Sequence, residues 1–336
     1  MPPGCGRRAR LAAGTSCRLQ GRGDEDSVRL WLLSHLEASP GNQRFLEAAR
    51  EAGHEVRRIV PAELGLLLAP AGGGERLRFL LRGLPLEPPD AVFTRLGGSA
   101  PDGAFDALRQ LEEAGIPCVN PPGALALARD KIATSQRLAA AGVPHPPTAV
   151  LGPKSDGVEA AVDFLGPPPW ILKLPRSTQG LGVVRVDSLA SLRSVLDMLQ
   201  HLGQRVLLQQ YVREAAGMDI RVLVVGNDAL AAMHRRAVAG DEIRSNLHRG
   251  GVAEPIALSE SLAELAVRSS RALGLSVCGV DLLPGRDGPV VAEVNGSPGL
   301  EGLERATGLD LAACIVSALP TLFASRRGQT TGEGLP

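Results

Sequence analysis

The chain has 336 residues in which 36 Lys plus Arg balance 36 Asp plus Glu, so there is no global basic field to recruit nucleic acid or an anionic membrane. Hydrophobic residues make up 44% and aromatics only 3%, so two or three domain cores must be built mainly from Leu, Val, Ala and Ile. No run of about 18 uncharged apolar residues reads as a membrane span. The five cysteines (Cys5, Cys17, Cys118, Cys278 and Cys314) show no C-x-x-C spacing and read as thiols of a reducing compartment.

Residues 1–27 are rich in Gly and Arg and lack hydrophobic periodicity, and are expected to be a disordered basic extension or a misplaced start. Their Arg-rich, acid-poor look is shared by organelle-targeting peptides, yet the cytoplasm is the expected compartment. Residues 28–120 alternate strand and helix. Strands are predicted over 28–33, 56–60, 91–93 and 118–119 and helices over 42–52 and 102–113, with a Pro- and Gly-rich separator over 72–89. That alternation predicts a small parallel α/β domain. A helical linker over 121–145 carries Lys131 and stops at Gly142 and Pro144.

Residues 146–212 predict a strand, a glycine-rich loop, a second strand and a helix striped by Leu192, Val195, Leu196 and Leu199, then a strand over 206–211. Residues 213–325 predict a sheet-rich catalytic domain with strands over 220–225 and 230–233, helices over 262–273 and 310–323, and a β-hairpin between them. Residues 326–336 are expected to form a disordered tail.

The hairpin is the most informative element. With its turn near Asp287, Asp281 lies opposite Glu293 and Asn295 follows on the same face, while Val280, Leu282, Val290, Ala292 and Val294 fill the other. Facing carboxylates repel unless positive charge lies between them, and three hard oxygen donors suit Mg²⁺ completed by phosphate and water. Upstream, Arg176 to Gly182 joins two strands, so its glycines open no helix, and both the Rossmann and the Walker readings fail. A loop with Thr178, Gln179, Gly180 and Gly182 instead suits a lid over phosphates. Lys173, set inside an apolar strand, calls for an anionic partner.

Gln210 and Tyr211 end an apolar strand and offer hydrogen bonds to a purine edge. Asp219 either binds a ribose hydroxyl or pairs with Arg221, which shares its face. Arg244, Ser245, Asn246, His248 and Arg249 crowd into one run shortly after Arg235, and suit a carboxylate or a phosphoryl group in transfer. His248 either acts as a general base or donates a hydrogen bond.

In this order and separation, Lys131, Lys173, the loop ending at Gly182, Asp219-Ile220-Arg221-Val222, Arg244 to Gly251 and Glu293-Val294-Asn295-Gly296-Ser297-Pro298-Gly299 resemble the RimK-type ATP-grasp ligases over about residues 90 to 320. The resemblance implies an α/β (α+β) ATP-grasp fold: an N-terminal parallel α/β domain, then a lid and a C-terminal sheet domain that clamp the nucleotide. It assigns Lys131 and Lys173 to ATP phosphates, Gln210 and Tyr211 to adenine, and Asp219 to ribose. Arg244, Ser245 and Asn246 would approach the phosphates, with Arg235, Arg244 and Arg249 as the catalytic arginines. Asp281, Glu293 and Asn295 would hold Mg²⁺ or Mn²⁺, with two ions expected. Two departures stand out: Gln210 replaces a common Glu, and Arg176 sits where an acidic residue is common.

The implied activity is an ATP-dependent carboxylate–amine ligase that forms an amide through an acyl phosphate. It adds glutamate to a protein or peptide C-terminus or to a small amino acid. The alternatives are a ligase of lysine-biosynthesis or glutathione-synthetase type with another amine, and a non-catalytic ATP-binding regulator. No nucleic-acid or membrane partner is expected, and self-association is left open.

Overall fold

The computed structural model describes residues 27–36, 39–69, 77–177, 182–215, 217–236 and 252–330. The first unit runs β1 (Arg29–Ser34), α1 (Pro40–Glu51), β2 (Glu55–Ile59), β3 (Leu64–Leu68), β4 (Leu77–Leu81), β5 (Leu84–Leu86), β6 (Ala91–Arg95), α2 (Asp102–Glu113) and β7 (Cys118–Val119). A parallel sheet in the order β2-β1-β6-β7 forms its body. Strands β1 and β6 are buried almost throughout, which is why their sequences are continuous apolar runs. The Pro- and Gly-rich separator is more structured than expected. It contributes β4 and β5: β4 pairs with β3 on one side and β5 on the other in a small antiparallel sheet, whose Leu64, Leu66, Leu77, Phe79, Leu81 and Leu86 pack on the core while Leu67, Leu68 and Leu84 stay exposed.

The linker is two helices, α3 (Pro122–Arg129) and α4 (Lys131–Ala140), rather than one. The break falls at Asp130, whose carboxylate accepts from the Ile132 and Ala133 amides and so starts a new helix with Lys131 as its first residue. The lid follows: β8 (Thr148–Leu151), α5 (Val158–Leu165), β9 (Trp170–Lys173), β10 (Val183–Val186), α6 (Leu189–His201) and β11 (Val206–Gln210), in a sheet ordered β10-β9-β11-β8. The stripe of α6 closes on Trp170, Leu172 and Leu208 in a core of its own.

The last unit holds β12 (Met218–Val225), β13 (Asp228–Arg236), β14 (Val252–Pro255), α7 (Glu260–Leu273), β15 (Val277–Leu283), β16 (Val290–Asn295), α8 (Glu301–Thr307) and α9 (Leu311–Thr330). Its sheet is ordered β14-β13-β12-β15-β16. Residues 326–330, expected to be part of a disordered tail, continue α9. Arg326 anchors that turn by donating to the Gly274 carbonyl and the Ser276 hydroxyl. The N-terminal and C-terminal units share two cores. Trp31, Leu33 and Val92 cluster with Val222, Val280 and Val294, and Leu30, Leu32 and Phe93 cluster with Leu223, Leu311 and Val316. The lid core contains none of these residues, so the lid is packed separately from the body it covers.

Candidate active site

A cleft separates the lid from the C-terminal sheet. Ile171 and Lys173 of β9, Val183 of β10 and the segment Gln209 to Val212 line its roof. Met218, Asp219, Arg235, Asp281, Leu283, Ala292 and Glu293 line its floor, and Lys131 stands at one end. The structure thus gathers Lys131, Lys173, Gln210, Tyr211, Asp219, Arg235, Asp281 and Glu293 from seven elements and the segment after β11 into one cavity. Apolar Ile171, Val183, Met218, Leu283 and Ala292 sit among them, a wall suited to a flat ring. Sequence reading missed this wall, since single apolar residues in strands give no sign of facing a cleft.

Two lysines, Lys131 and Lys173, bring positive charge to the cleft wall. The Lys131 ammonium donates to the Ser177 carbonyl at 2.7 Å and lies 3.7 Å from a Glu293 oxygen. Burial pushes the Lys173 ammonium down to about 8, an effect that Glu293 opposes and neighbouring Lys131 reinforces. Gln209 donates to the Thr148 hydroxyl and Gln210 to the Leu165 carbonyl, so both amides are held by the lid. The Arg185 guanidinium lies 5.4 Å from the Tyr211 ring centre.

Asp219 forms a bidentate pair with Arg235 of the neighbouring strand. Strand register sets Asp219 opposite Arg235 and Arg221 opposite Asp281. Arg235 grips both Asp219 oxygens at 2.6 Å, and Arg221 grips both Asp281 oxygens at 2.7 Å. Arg235 also reaches Asp281 at 2.8 Å and ties the two pairs together. Burial alone would raise the Asp281 carboxyl, but Arg221 and Arg235 outweigh it and hold the group below the ordinary carboxylate range. Burial opposes the charge on Arg235 as well, and Asp281 and Asp219 more than compensate, so its value is raised.

Asp281 pairs with Glu293 and Gly279 with Asn295, as the hairpin reading requires. A bulge between Asp281 and Leu282 changes the rest: Val291 comes opposite Leu282 and is 1% exposed, while Ala292 turns to the cleft. The expected inward set of Val290, Ala292 and Val294 is therefore corrected to Val291 and Val294, because the extra residue reverses the alternation. The counter-charge inferred between the facing carboxylates is supplied at Asp281 by the two arginines, so the opposition by itself does not demand a metal. The donor chemistry still fits a hard cation. Asp281 accepts three hydrogen bonds of about four a carboxylate can take, and Glu293 is 48% exposed. Asn295 lies outside the cavity wall, and its amide oxygen accepts from the Ser297 amide at 2.9 Å. Among the described residues no three His, Cys, Asp or Glu side chains cluster to hold a metal, so the Asn295 amide and outside oxygens would have to complete such a shell.

Thr178, Gln179, Gly180, Arg244, Ser245, Asn246, His248 and Arg249 lie outside the described residues. Gly182 closes the lid loop with a positive φ of 68°, and its carbonyl accepts from the Leu174 amide. Arg176 lies 3.7 Å from Asp102 at the start of α2.

The architecture is that of ATP-grasp enzymes. A RimK domain ATP-grasp protein from Sphaerobacter thermophilus superposes with a TM-score of 0.64 at 25% identity, covering 86% of this chain and 98% of that one. The ATP-grasp ligase PsnB complexed with a minimal precursor gives 0.68 at 21%, covering 88% and 99%. D-alanine–D-alanine ligase from Bacillus anthracis complexed with ATP gives 0.61 at 19%, covering 91% and 100%. The RimK PreATP-grasp domain profile matches residues 28–125 and the RimK-like ATP-grasp domain profile residues 128–319. A probable alpha-L-glutamate ligase from Xanthomonas euvesicatoria is 41% identical over 292 residues, 87% of this chain and 97% of that protein. One from Thioalkalivibrio sulfidiphilus is 39% identical over 307 residues, 91% and 100%. The chain belongs to the RimK-like ATP-grasp family and is an ATP-grasp ligase.

Proposed function

We propose that this ligase joins glutamate to a carboxylate acceptor, a protein or peptide C-terminus or a small amino acid, using ATP and Mg²⁺ in the cytoplasm. The observation that carries the reading is the cleft that brings apolar Ile171, Val183, Met218, Leu283 and Ala292 together with Lys131, Lys173, Asp281 and Glu293. The relatives named probable alpha-L-glutamate ligase support glutamate as the amine. The peptide-bound state of PsnB is in keeping with a peptide acceptor.

A carboxylate carbon is a poor electrophile in water. Transfer of the γ-phosphoryl group of ATP to the acceptor carboxylate gives an acyl phosphate and ADP. Attack by the glutamate amine then forms the amide, releases phosphate and gives up a proton. Lys131 and Lys173 would hold the phosphates in line, and Gln210 and Tyr211 would flank the base. The pairing of Asp219 with Arg235 points to a supporting role for Asp219, with ribose contact only through lone pairs that the guanidinium leaves open. Bound by Asp281, Glu293 and Asn295, Mg²⁺ or Mn²⁺, as one ion or two, would neutralise charge on the transferring group.

Incubating the purified protein with ATP, MgCl₂, glutamate and candidate acceptors should give acceptor-dependent ADP and a product heavier by one glutamate residue. ATP binding with no ADP from any acid and amine pair would overturn the reading in favour of a silent nucleotide-binding protein. Turnover with other amines alone would remove glutamate from it.

A further inference from the structure

Asn120 follows β7 in the N-terminal unit and lies outside the cleft, yet all its side-chain bonds go to the hairpin that carries Asp281, Glu293 and Asn295. It is 1% exposed. Its Oδ1 accepts from the Ser276 amide at 2.7 Å and the Val277 amide at 3.0 Å. Its Nδ2 donates to the Val277 carbonyl at 2.7 Å and the Gly296 carbonyl at 2.8 Å. Its own backbone is locked by exchange with Thr94, whose hydroxyl accepts from the Asn120 amide at 2.7 Å and donates to the Asn120 carbonyl at 3.2 Å.

The last rung of the β15–β16 ladder is Gly279 opposite Asn295. Beyond it the strands part, since Gly296 and Ser297 lead into the loop before α8. One carboxamide spans the gap and takes a carbonyl from each strand, acting as an extra rung at the open end of the ribbon. Gly296 leaves no slack there, because a Cβ at that position would lie 2.6 Å from Leu125 Cδ2 and 3.1 Å from Leu275 Cδ2. The bonded Gly296 directly follows Asn295, and Glu293 is two residues further back. The open end of the hairpin is thus fixed to β6 of the N-terminal unit through Asn120.

We propose that Asn120 is a positioning residue for the cation ligands: its carboxamide bridges Val277 and Gly296 and holds Asn295 and Glu293 in register with Asp281. This rests on the reading of that trio as the Mg²⁺ site. Outer partners of metal ligands typically change metal affinity by 10–100-fold when removed. Asn120→Ala is therefore expected to weaken cation binding about tenfold while sparing the nucleotide pocket.

Mn²⁺ titrated by electron paramagnetic resonance into full-length protein saturated with a non-hydrolysable ATP analogue reads the first quantity. Affinity for the analogue in EDTA reads the second. The proposal requires about tenfold weaker Mn²⁺ binding by Asn120→Ala, an unchanged circular dichroism spectrum and an analogue affinity within twofold of wild type. Asn120→Asp, which keeps the acceptor oxygen and loses the donation to Val277 and Gly296, should show the same selective loss and serves if the alanine variant does not fold. Mn²⁺ affinity within twofold of wild type, or equal loss of Mn²⁺ and analogue binding, overturns the role of Asn120. Glu293→Gln separates the two levels: weakened Mn²⁺ binding there with none in the Asn120 variants removes only the positioning role, whereas no effect in Glu293→Gln removes the cation site itself.

Discussion

Replacing Arg235 with Met removes a cation while keeping most of the side-chain volume, and the structure fixes what should follow. The wild-type cluster holds two carboxylates and two guanidiniums, with side-chain exposures of 4% for Arg235, 12% for Asp219 and 8% for Asp281. The variant strips Asp219 of its bidentate partner and Asp281 of one of two cations, leaving one uncompensated negative charge in the cleft floor. Breaking a buried pair from one side typically costs about 3–5 kcal/mol, which is the loss expected in urea unfolding at neutral pH.

The sign of the pH dependence should reverse as well. In the wild type the Asp281 carboxyl sits below its unfolded value, so its stabilisation is complete above that value and is lost as pH falls through the folded one. In Arg235→Met the under-compensated carboxylates should sit above their unfolded values, so the folded state binds the extra proton and stability falls as pH rises. The deficit should therefore shrink as pH is lowered from about 7 towards 5. A deficit below about 1 kcal/mol, or one that does not change over this interval, would refute the buried network as the source of stability.

Lys173 should make nucleotide affinity pH-dependent. With the ammonium down to about 8, deprotonation above that pH removes a phosphate partner, so a non-hydrolysable ATP analogue in EDTA should bind about tenfold more weakly at pH 9 than at pH 7. Calorimetry should show this slope in the wild type and its absence in Lys173→Met, and equal slopes would dissociate Lys173 from the phosphates. For stability the sign is the reverse: a lysine whose folded value lies below its unfolded one destabilises at low pH, and stability rises as pH passes from 8 towards the unfolded value. Gly182→Ala should cost about 2 kcal/mol, because φ is +68° and a Cβ would meet Leu174 side-chain atoms at 3.0 to 3.2 Å. An unchanged melting temperature would show that the lid loop relaxes freely.

The hairpin was legible in the chain because side chains in a strand alternate with period two. The position of one turn was enough to set Asp281 against Glu293. The apolar β1 and β6, the α6 stripe and Lys173 inside β9 were legible for the same kind of reason, since each is a local pattern with one sensible burial. The bulge that sends Ala292 to the cleft and Val291 to the core could not be read, as it depends on how β15 and β16 settle against their neighbours. Nor could the Asp130 cap that splits the linker be separated from an ordinary polar helix position.

The pairing of Asp219 with Arg235 was hidden by strand order. Arg221 is two residues away in sequence and Arg235 sixteen, yet only Arg235 lies across the ladder. Asn120 looked like the end of a domain, and its four bonds reach residues 156 to 176 positions away. The sequence by itself determined which residue types could do phosphate and carboxylate chemistry and which faces of single elements they share. Tertiary structure alone decided their partners, because charge compensation and the satisfaction of buried amides are settled between strands that the chain order keeps far apart.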